Sequence, residues 1–491
     1  MIENIVHVHD KFQFELKLEY QFDSGNKSKE YDIDTYLFFP NSLGISPGTF
    51  KKQDFYHDVQ SYIRLKTPTV LLRDIVPGKD SPLRRVQTEI EQFLSQNDRV
   101  QKADFEYQVK MFCCICKSSV RDHVHFIKQK VHSEDAIDGI MGFLSCHSEI
   151  VQSFRGLRSQ LNVPTVGDDM FSIFLFADEY LSLLFEAYSF ELLEFLDVSE
   201  LKNNKYLRKS LIDLISAELD YRKGADYPSI PEIDSTNEAY VYRISVLKKY
   251  MGTILFLNTR MKRDGGALEQ LAFALAAGVA MVFAVFTSLW AQSRFAHFSV
   301  PFVLALVVSY IFKDRIKEMI RTYLGNRLRH FLFDHKMNIY ANPKVRLGWC
   351  KESMTHISED KVPPEVLKLR NRAHITEIEN GEFGEHILIY RKRIRLFRKH
   401  FDKTNQNQQL ESINDIVRMN VKRFLRKMDN PKRPIYVMTG EHYKRVLGRR
   451  VYHINMIIKY SFDQKAFYKR FRIVLNRGGI KRIEEGPSNE V

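Results

Sequence analysis

Two apolar segments in the middle of the chain constrain its fold more than any other feature. Residues 270–293 carry no charge, and neither do residues 295–312. A helix rises about 1.5 Å per residue and the hydrocarbon core of a bilayer is roughly 30 Å thick, so each segment is long enough to cross once. Only a short polar stretch around Arg294 separates them. The sequence therefore predicts a transmembrane hairpin with spans at about 270–291 and 295–312.

The alternative interpretation is a helical hairpin buried in a large soluble domain. Three features favour the bilayer instead. The first segment is longer than most core helices, and Trp290 and Tyr310 lie near segment ends, where interfacial aromatic residues are enriched. Basic residues also bracket the pair of segments. They are Arg260, Lys262 and Arg263 before it and Lys313, Arg315, Lys317 and Arg321 after it.

The same basic residues predict the orientation. Both outer flanks are rich in lysine and arginine, whereas the tip holds only Arg294. Lysine and arginine accumulate on the cytoplasmic side, so we expect a two-pass protein of the cell membrane with both termini in the cytoplasm. The N-terminus has no basic start followed by an apolar core, so we expect no cleavable signal peptide. Five cysteines in 491 residues agree with a reducing compartment.

Strand patterns stand at both ends of the chain. Residues 12–22 alternate between apolar and polar, and residues 31–39 do so after a turn, which predicts an N-terminal β-hairpin. Residues 452–462 alternate over a full strand, and a second strand and a short return follow. Two β-regions therefore flank the apolar segments.

Helical spacing dominates between these β-regions. It predicts helices around 104–130, 134–160 and 168–222, the last beginning at Asp168. A basic amphipathic helix over about 316–332 either lies on the bilayer surface or continues from the second span, and we favour continuation. Another basic amphipathic helix is predicted from about 410 to 428.

The predicted fold class is α+β. It combines a cytoplasmic mixed α/β N-terminal region (a β-hairpin, then helices), a central two-helix transmembrane hairpin and a small basic α+β C-terminal domain. With 44% hydrophobic and 12% aromatic residues, the soluble parts can form real cores. The domain boundaries we expect are 1–235 (mostly helical after residue 50), 236–335 with the juxtamembrane helices and the spans, and 336–491.

Positive charge is concentrated after the apolar segments. Residues 313–491 hold 40 Lys and Arg against 20 Asp and Glu, a net of +20, whereas residues 1–312 hold 34 against 40, a net of −6. Such a charge attracts the anionic cytoplasmic leaflet, nucleic acid or an acidic partner protein. A solvated or lipid-facing surface is the favoured reading, ahead of a protein partner and of nucleic acid. The candidate residues for binding an anionic surface are Arg391, Lys392, Arg393, Arg395, Arg398, Lys399, Arg449 and Arg450.

Small residues repeat every four positions along the first apolar segment. They are Ala272, Ala276, Ala280 and Ala284. Small residues at this spacing let two helices approach closely, within the hairpin or between copies of the chain. A pore formed by oligomers is the less favoured alternative, because only Thr287, Ser288, His297 and Ser299 qualify as polar residues that could line it.

Candidate metal and catalytic residues have plainer explanations. Cys113, Cys114 and Cys116 with His123, His125, His132, Cys146 and His147 have zinc-like spacing in part, but they lie on helical patterns where cysteine packs as a small hydrophobe. Gly-Glu-His occurs twice and offers Glu385, His386, Glu441 and His442 for acid–base chemistry. Asp168 and Asp169 are read as a helix start. The sequence has no P-loop, GxSxG or HExxH motif, and we predict no cofactor and no metal.

The leading functional hypothesis is a membrane-anchored scaffold or sensor that binds a cytoplasmic partner or anionic lipid. Its expected partners are the bilayer, anionic headgroups, a cytoplasmic protein and further copies of the chain, with nucleic acid less favoured. Two alternatives remain from other classes. One is a membrane-tethered enzyme acting on lipid or nucleotide, and the other is an oligomeric pore-forming effector.

Overall fold

The structure is a computed structural model, and it describes residues 3–21, 28–96, 99–130, 133–162, 168–199, 201, 204–295, 299–342, 345–370, 384–398, 412–462, 465–486 and 489–490. The strands are β1 Glu3–Asp10, β2 Gln13–Gln21, β3 Ser28–Pro40, β4 Val59–Leu65, β5 Asn258–Arg263, β6 His335–Asn342, β7 Val345–Ile357, β8 Glu385–Phe397, β9 Ser412–Asn420, β10 Lys432–Thr439, β11 His442–Arg449, β12 Tyr452–Phe462, β13 Lys465–Asn476, β14 Gly479–Glu485 and β15 Asn489–Glu490. The helices are α1 Lys52–Asp58, α2 Pro82–Gln96, α3 Arg99–Gln129, α4 Ser133–Gly156, α5 Arg158–Leu161, α6 Asp168–Val198, α7 Lys205–Gly224, α8 Glu238–Gly252, α9 Gly266–Arg294, α10 Val300–Phe331 and α11 Pro364–Arg370.

These elements form two compact units. The first, called the sandwich unit below, combines Met1–Ile63, Asn258–Gln406 and Ile413–Val491. The second, called the helical unit, is Arg64–Leu257 with Asn407–Ser412. The chain thus leaves the sandwich unit after its first strands and returns to it immediately before the apolar segments. The overall class is mixed α/β, with an N-terminal β-hairpin, then helices, then a β-rich C-terminal region, as the sequence predicts.

Two sheets form the body of the sandwich unit, which also holds the separate pair of strands β10 and β11. The larger has the order β14-β13-β12-β3-β8-β7-β6-β5, with β15 beside β13, and the smaller has the order β1-β2-β9-β4. They pack face to face, and the rings of Tyr20 on β2 and Tyr31 on β3 lie 5.1 Å apart between them. Strand β3 lies between β8 and β12, so N-terminal and C-terminal parts of the chain share one sheet.

The N-terminal hairpin differs from the predicted one in its partners. Both predicted strands exist, as β2 and β3, but β2 pairs with β1 and lies in the smaller sheet, whereas β3 lies in the larger sheet. The helix predicted over about 410–428 is wrong, because residues 412–420 form β9. Nearly every side chain of β9 is buried, so its apolar residues lack the alternation that marks a half-exposed strand.

Helices α9 and α10 form an antiparallel pair, called the helical hairpin below. Of the described helices, α9 alone is long and apolar enough to cross a membrane. Helix α10 runs without interruption through 32 residues, which confirms that the basic segment after the second apolar segment continues the same helix. Its uncharged part, 300–312, is only 13 residues long.

The helical unit follows its predicted pattern. Helices α3, α4 and α6 cover the three predicted stretches, and α6 begins at Asp168 with two acidic residues in its first turn, which the helix dipole favours. The third stretch is divided, because Asn204 caps a new helix, α7, by accepting a hydrogen bond from the backbone of Leu207 at 3.1 Å. One hydrophobic core joins α2–α8.

Candidate functional site

The helical hairpin is attached to the larger sheet at both of its ends. Strand β5 leads into α9, and α10 leads into β6, while β5 and β6 pair with each other from Asn258↔Tyr340 to Arg263↔His335. Gly265 makes the first connection with φ of 69°, and a Cβ there would clash with Leu332 at the second connection. The hairpin is therefore joined to the sheet by two tight connections that also touch each other.

Charged side chains fix the root of the hairpin. The carboxylate of Asp334 accepts hydrogen bonds from Lys52 Nζ at 2.6 Å, from Tyr56 Oη at 2.9 Å and from the backbone of Met354 at 2.9 Å. Burial and the nearby Asp334 raise the pKa of the Tyr56 phenol, so it stays a donor. Lys351 Nζ lies 2.9 Å from Asp264 Oδ2. These contacts tie α1 and β7 to the point where the hairpin leaves the sheet.

Beyond this root the hairpin exposes apolar side chains on both helices. Phe286 is 74% exposed, Val300 73% and Val282 68%. The other large apolar side chains that the hairpin exposes are Leu268, Leu271, Leu275, Val279, Met281, Val285, Leu289, Trp290, Val303, Leu304, Val307, Val308, Tyr310, Ile311, Phe312, Met319 and Tyr323. Water-soluble proteins rarely expose a contiguous apolar surface of this size. The chain itself does not bury the hairpin, contrary to the core-hairpin alternative.

The inner face of α9 carries the alanine repeat. Ala272, Ala276 and Ala280 are buried against α10, and Ala284 is half-buried. The hydroxyls of Thr287 and Ser309 hydrogen-bond to each other across the pair. One of the polar groups considered for a pore therefore bonds within a single hairpin.

The two helices differ in how charged and apolar side chains are distributed along their length. Arg321 Cζ of α10 lies 4.6 Å from the ring centroid of Phe273 near the start of α9, whereas Ser309 lies beside Thr287 near the tip. The charged half of α10, from Lys313 onwards, therefore lies beside the apolar half of α9 next to the sheet. Near the tip both helices are apolar. The hairpin thus has an apolar tip and a root with one apolar and one basic helix.

A row of basic side chains crosses the open face of the larger sheet towards this root. Arg393 on β8 is in register with Lys351 on β7, which is in register with Lys336 on β6, which is in register with Lys262 on β5. Trp349 lies beside the row, with Lys336 Nζ 5.7 Å and Lys351 Nζ 5.5 Å from its ring centroid. Lys336 and Lys351 were not among the predicted site residues, because the row depends on sheet register, which local patterns do not specify.

Acidic residues on β3 balance the predicted basic residues of β8. Arg393 Nε donates to Asp32 Oδ1 at 2.6 Å, and Arg391 and Arg395 stand in register with Asp34 and Glu30. Burial raises the pKa of the Asp34 carboxyl, although Arg391 opposes this. Such cross-strand pairs stabilise the sheet. The excess positive charge of the face therefore lies nearer to the hairpin, on β5–β7.

Lys392 does not belong to the basic surface that was predicted to bind an anionic partner. Successive residues of a strand point to opposite faces, so Lys392 points into the sandwich while Arg391 and Arg393 point out. It is 2% exposed, and its Nζ lies 2.6 Å from Asp415 Oδ2 and 2.9 Å from Ser61 Oγ. A lysine that activates a serine must be neutral, whereas the carboxylate keeps this one charged. The group is an internal ion pair.

The remaining predicted basic residues are dispersed. Arg398 is half-buried next to β8, and Lys399 lies outside the described residues. Arg449 is exposed at the end of β11, and Arg450 pairs with Asp429. The seven residues of this set that the structure describes therefore do not form one surface.

The candidate acid–base residues do not converge. Glu385 Oε2 accepts from Arg370 Nη2 at 2.6 Å in the larger sheet, and His386 follows it on β8. Glu441 lies in the turn between β10 and β11 and His442 begins β11, in a separate two-stranded sheet. Across the described ranges, no group of three or more His, Cys, Asp or Glu side chains could hold a metal ion.

The cysteine–histidine patch is dispersed in the helical unit. Cys113 and Cys116 lie in its hydrophobic core, where burial raises the pKa of both thiols. His123 Nε2 lies 2.9 Å from the Gly139 carbonyl oxygen, and His147 Nε2 lies 3.1 Å from Glu218 Oε1. His132 lies outside the described residues. Two of the cysteines therefore pack as apolar side chains, and two of the histidines bond to neighbours of their own.

Comparison with known proteins adds no relative to this picture. No family model, no curated protein and no solved structure matches the chain.

Proposed function

We propose that this chain is an integral membrane protein whose helical hairpin inserts into a bilayer and holds the sandwich unit at the surface. The observation that carries the proposal is the exposed apolar surface of the hairpin, which rises from a root surrounded by lysine and arginine. Hydrocarbon stabilises such side chains by roughly 25 cal/mol for each Å² removed from water. With 29 residues, α9 is long enough to reach deep into the hydrocarbon core.

The sandwich unit contains residues from near both chain ends, which supports placing both ends on the same side of the membrane. Near the N-terminus, the carbonyl oxygen of Lys11 accepts a hydrogen bond at 2.9 Å from the backbone of Ile480 near the C-terminus. Both belong to the unit from which the hairpin emerges. Because lysine and arginine accumulate on the cytoplasmic side, we propose that this side is the cytoplasm.

The pairing of the two helices favours insertion of the tip over a complete crossing. One turn from the Thr287–Ser309 pair towards the root, Lys313 lies level with Phe283. If α9 crossed completely, Lys313 and Arg315 would lie in hydrocarbon, at about 2.5 to 3.5 kcal/mol for each charge. Insertion of the tip alone keeps these charges at the headgroups. The 13 uncharged residues of α10, about 20 Å of helix, fit that depth.

We infer that the anchored chain acts as a scaffold or sensor at the cytoplasmic face. One hairpin carries two folded units, and Lys262 and Lys336 of the basic row suit anionic headgroups beside the root, whereas Lys351 pairs with Asp264. The function we propose is therefore to hold the helical unit at the membrane for a cytoplasmic partner.

Membrane extraction of the full-length protein tests the anchor. We expect the protein to remain in the membrane pellet at high salt and alkaline pH, and to dissolve only with detergent. Replacing exposed hairpin residues (Val282→Glu with Phe286→Glu) should release it. The matched control replaces exposed apolar residues elsewhere, Leu71→Glu with Ile233→Glu, and should stay in the pellet. Recovery of the unaltered protein in the detergent-free supernatant would overturn the proposal.

Labelling of the tip tests the depth. In a Cys146→Ser background the other four native cysteines are buried, so Ser293→Cys offers the accessible thiol at the tip. In sealed vesicles with the soluble units outside, a membrane-impermeant maleimide trapped in the lumen should leave it unlabelled. Labelling from the lumen would show a complete crossing instead. Lumenal Trp-quenching reagents should likewise leave Trp290 fluorescence unchanged.

A further inference from the structure

A second exposed element projects from the sandwich unit. Among the described strands, β10 and β11 pair with each other alone, from Lys432↔Arg449 to Thr439↔His442, and form a two-stranded ribbon, called the ribbon below. All eight residues of β10 are exposed, as are most of β11. An isolated two-stranded hairpin is marginally stable in water, so a surface that covers it would stabilise it.

The ribbon exposes apolar and aromatic side chains on both of its faces. Tyr443 is 71% exposed, Met438 69% and Tyr436 67%. Ile435, Val437 and Leu447 are also exposed, and the rings of Tyr436 and Tyr443 lie 5.8 Å apart. Most of these side chains lie in the half of the ribbon nearer to its turn at Gly440.

Basic side chains adjoin these apolar ones along both strands. The ribbon carries five basic residues, Lys432, Arg433, Lys444, Arg445 and Arg449, against the single acidic residue Glu441. Within the described part of the chain, none of the five takes part in an ion pair. The ribbon is therefore positively charged, and its charge complements an anionic surface.

The mixture of side chains favours a lipid surface over nucleic acid. Nucleic-acid ribbons contact phosphates and base edges mainly through basic and polar groups, so Ile435, Val437 and Leu447 suit such a partner less well than a lipid surface. The headgroup region of a bilayer accepts tyrosine rings and aliphatic side chains together with lysine and arginine.

The attachment of the ribbon agrees with the same surface. The strand pairing places the end of β5, where α9 begins, at the same height in the sheet as Glu352 of β7. Strand β12 follows the ribbon. It begins farther towards the same end of the sheet, beyond the position of Ile357, the last residue of β7. The helical hairpin and the ribbon are thus both attached towards the end of the larger sheet at which β7 ends.

We propose that the ribbon is a second membrane-binding element, which recognises anionic lipid headgroups and places its apolar side chains among them. This proposal rests on the proposed function, since it assumes a bilayer beside the sandwich unit. The hairpin supplies the anchor, and the ribbon makes the contact depend on lipid charge.

A fluorophore on the ribbon tests the proposal in the full-length protein. In the Cys146→Ser background, Thr439→Cys carries an environment-sensitive dye at the turn. The protein is inserted into vesicles of phosphatidylcholine alone or with phosphatidylserine. We expect a blue-shifted emission only with phosphatidylserine. Lys444→Gln with Arg445→Gln should weaken the contact roughly thirtyfold, since each basic residue contributes about fivefold at an anionic surface. The matched control, Lys79→Gln with Lys481→Gln, should leave the shift unchanged.

The outcomes separate this proposal from the anchor. Vesicle flotation is measured on the same samples. If the protein floats with both vesicles and the dye never shifts, the ribbon proposal fails and the anchor stands. If the dye responds to an oligonucleotide and not to phosphatidylserine, the ribbon binds nucleic acid and the proposal is overturned. If the protein does not float at all, the anchor fails, and the ribbon proposal fails with it.

Discussion

Lys392 on β8 and Asp415 on β9 form an ion pair between the two sheets of the sandwich unit, with Nζ 2.6 Å from Oδ2. Both side chains are shielded from water, at 1% and 0% exposure. Burial alone lowers the pKa of a lysine, but the carboxylate of Asp415 raises it above its ordinary value, so both groups carry charge. Ser61 and Tyr20 complete the group by donating to Asp415 at 3.2 and 3.3 Å.

Removal of either partner should destabilise the sandwich unit strongly. Lys392→Met leaves a buried carboxylate unpaired, and Asp415→Leu leaves a buried ammonium unpaired, so each should lower the free energy of unfolding by about 3–5 kcal/mol. Unfolding in guanidinium is followed through Trp349, in a Trp290→Phe background that leaves one tryptophan. The double variant contains no unpaired charge and should be more stable than either single variant. A double variant as unstable as the single ones would contradict this account.

The helical unit should lose stability in acid through Glu218. Burial by itself would raise the pKa of this carboxyl, but hydrogen bonds from His147 and Arg155 lower it to about 2. The unfolded chain then binds more protons than the folded one between about pH 4.5 and pH 2. The contribution of Glu218 to the free energy of unfolding is fully present above about pH 4.5. As the pH decreases from about 4.5 to about 2, the free energy of unfolding should fall by about 3 kcal/mol.

Far-UV circular dichroism of denaturant unfolding at several pH values measures this loss. Glu218→Gln should flatten the dependence below pH 4.5, because the group can no longer take up a proton. Asp220→Asn is the matched control, since Asp220 is 74% exposed and lies on the same helix. It should keep the slope of the unaltered protein. An equal slope in the Glu218→Gln variant would show that other carboxyls cause the acid loss.

Local patterns predicted the elements whose residue types follow a clear period. Apolar residues alternate with polar ones along most of β12, although its middle is buried on both faces, and α6 begins where two aspartates meet a helix dipole. Strand β9 escaped this reasoning because both of its faces are buried. The pairing of β3 with β8 and β12 joins residues at least 345 positions apart, which no local pattern encodes.

Only the part of the candidate site that depends on local patterns could be predicted from the sequence. The apolar segments and their basic flanks are local features, and both reappear in the helical hairpin and its root. Lys392 was misplaced because its charge was weighed without its position in the strand. Its neighbours Arg391 and Arg393 already fixed the parity that points it inwards. The row through Lys336 and Lys351 depends on sheet register, which the sequence alone does not specify.

The alanine repeat should be essential for the close approach of α9 and α10. Ala280 is 1% exposed against α10, so Ala280→Leu should force the helices apart, at about 1–3 kcal/mol. Gly278 has open space around its Cβ position, so Gly278→Leu on the same helix should be tolerated. The readout is disulfide formation between Thr287→Cys and Ser309→Cys, whose native hydroxyls touch. Ala280→Leu should lower the yield several-fold, and an equal loss with Gly278→Leu would contradict the role of the stripe.

The connection at Gly265 should tolerate no side chain. Its φ of 69° is unfavourable for any residue with a Cβ, and that Cβ would also strike Leu332. Gly265→Ala should therefore separate β5 from β6 at the root, with a loss of about 1–3 kcal/mol. Trypsin reports this separation, because Lys262 and Arg263 are paired with β6. We expect faster cleavage at these two residues.

Two further variants distinguish the causes at this connection. Gly266→Ala is the matched control, since nothing lies near its Cβ position and it begins α9, so its cleavage rate should match that of the unaltered protein. Adding Leu332→Ala to Gly265→Ala removes the clash but keeps the strained φ, and should restore part of the protection. Full restoration would assign the whole effect to the contact with Leu332. Unchanged protection in Gly265→Ala itself would show that the hairpin is joined to the sheet more loosely than these contacts indicate.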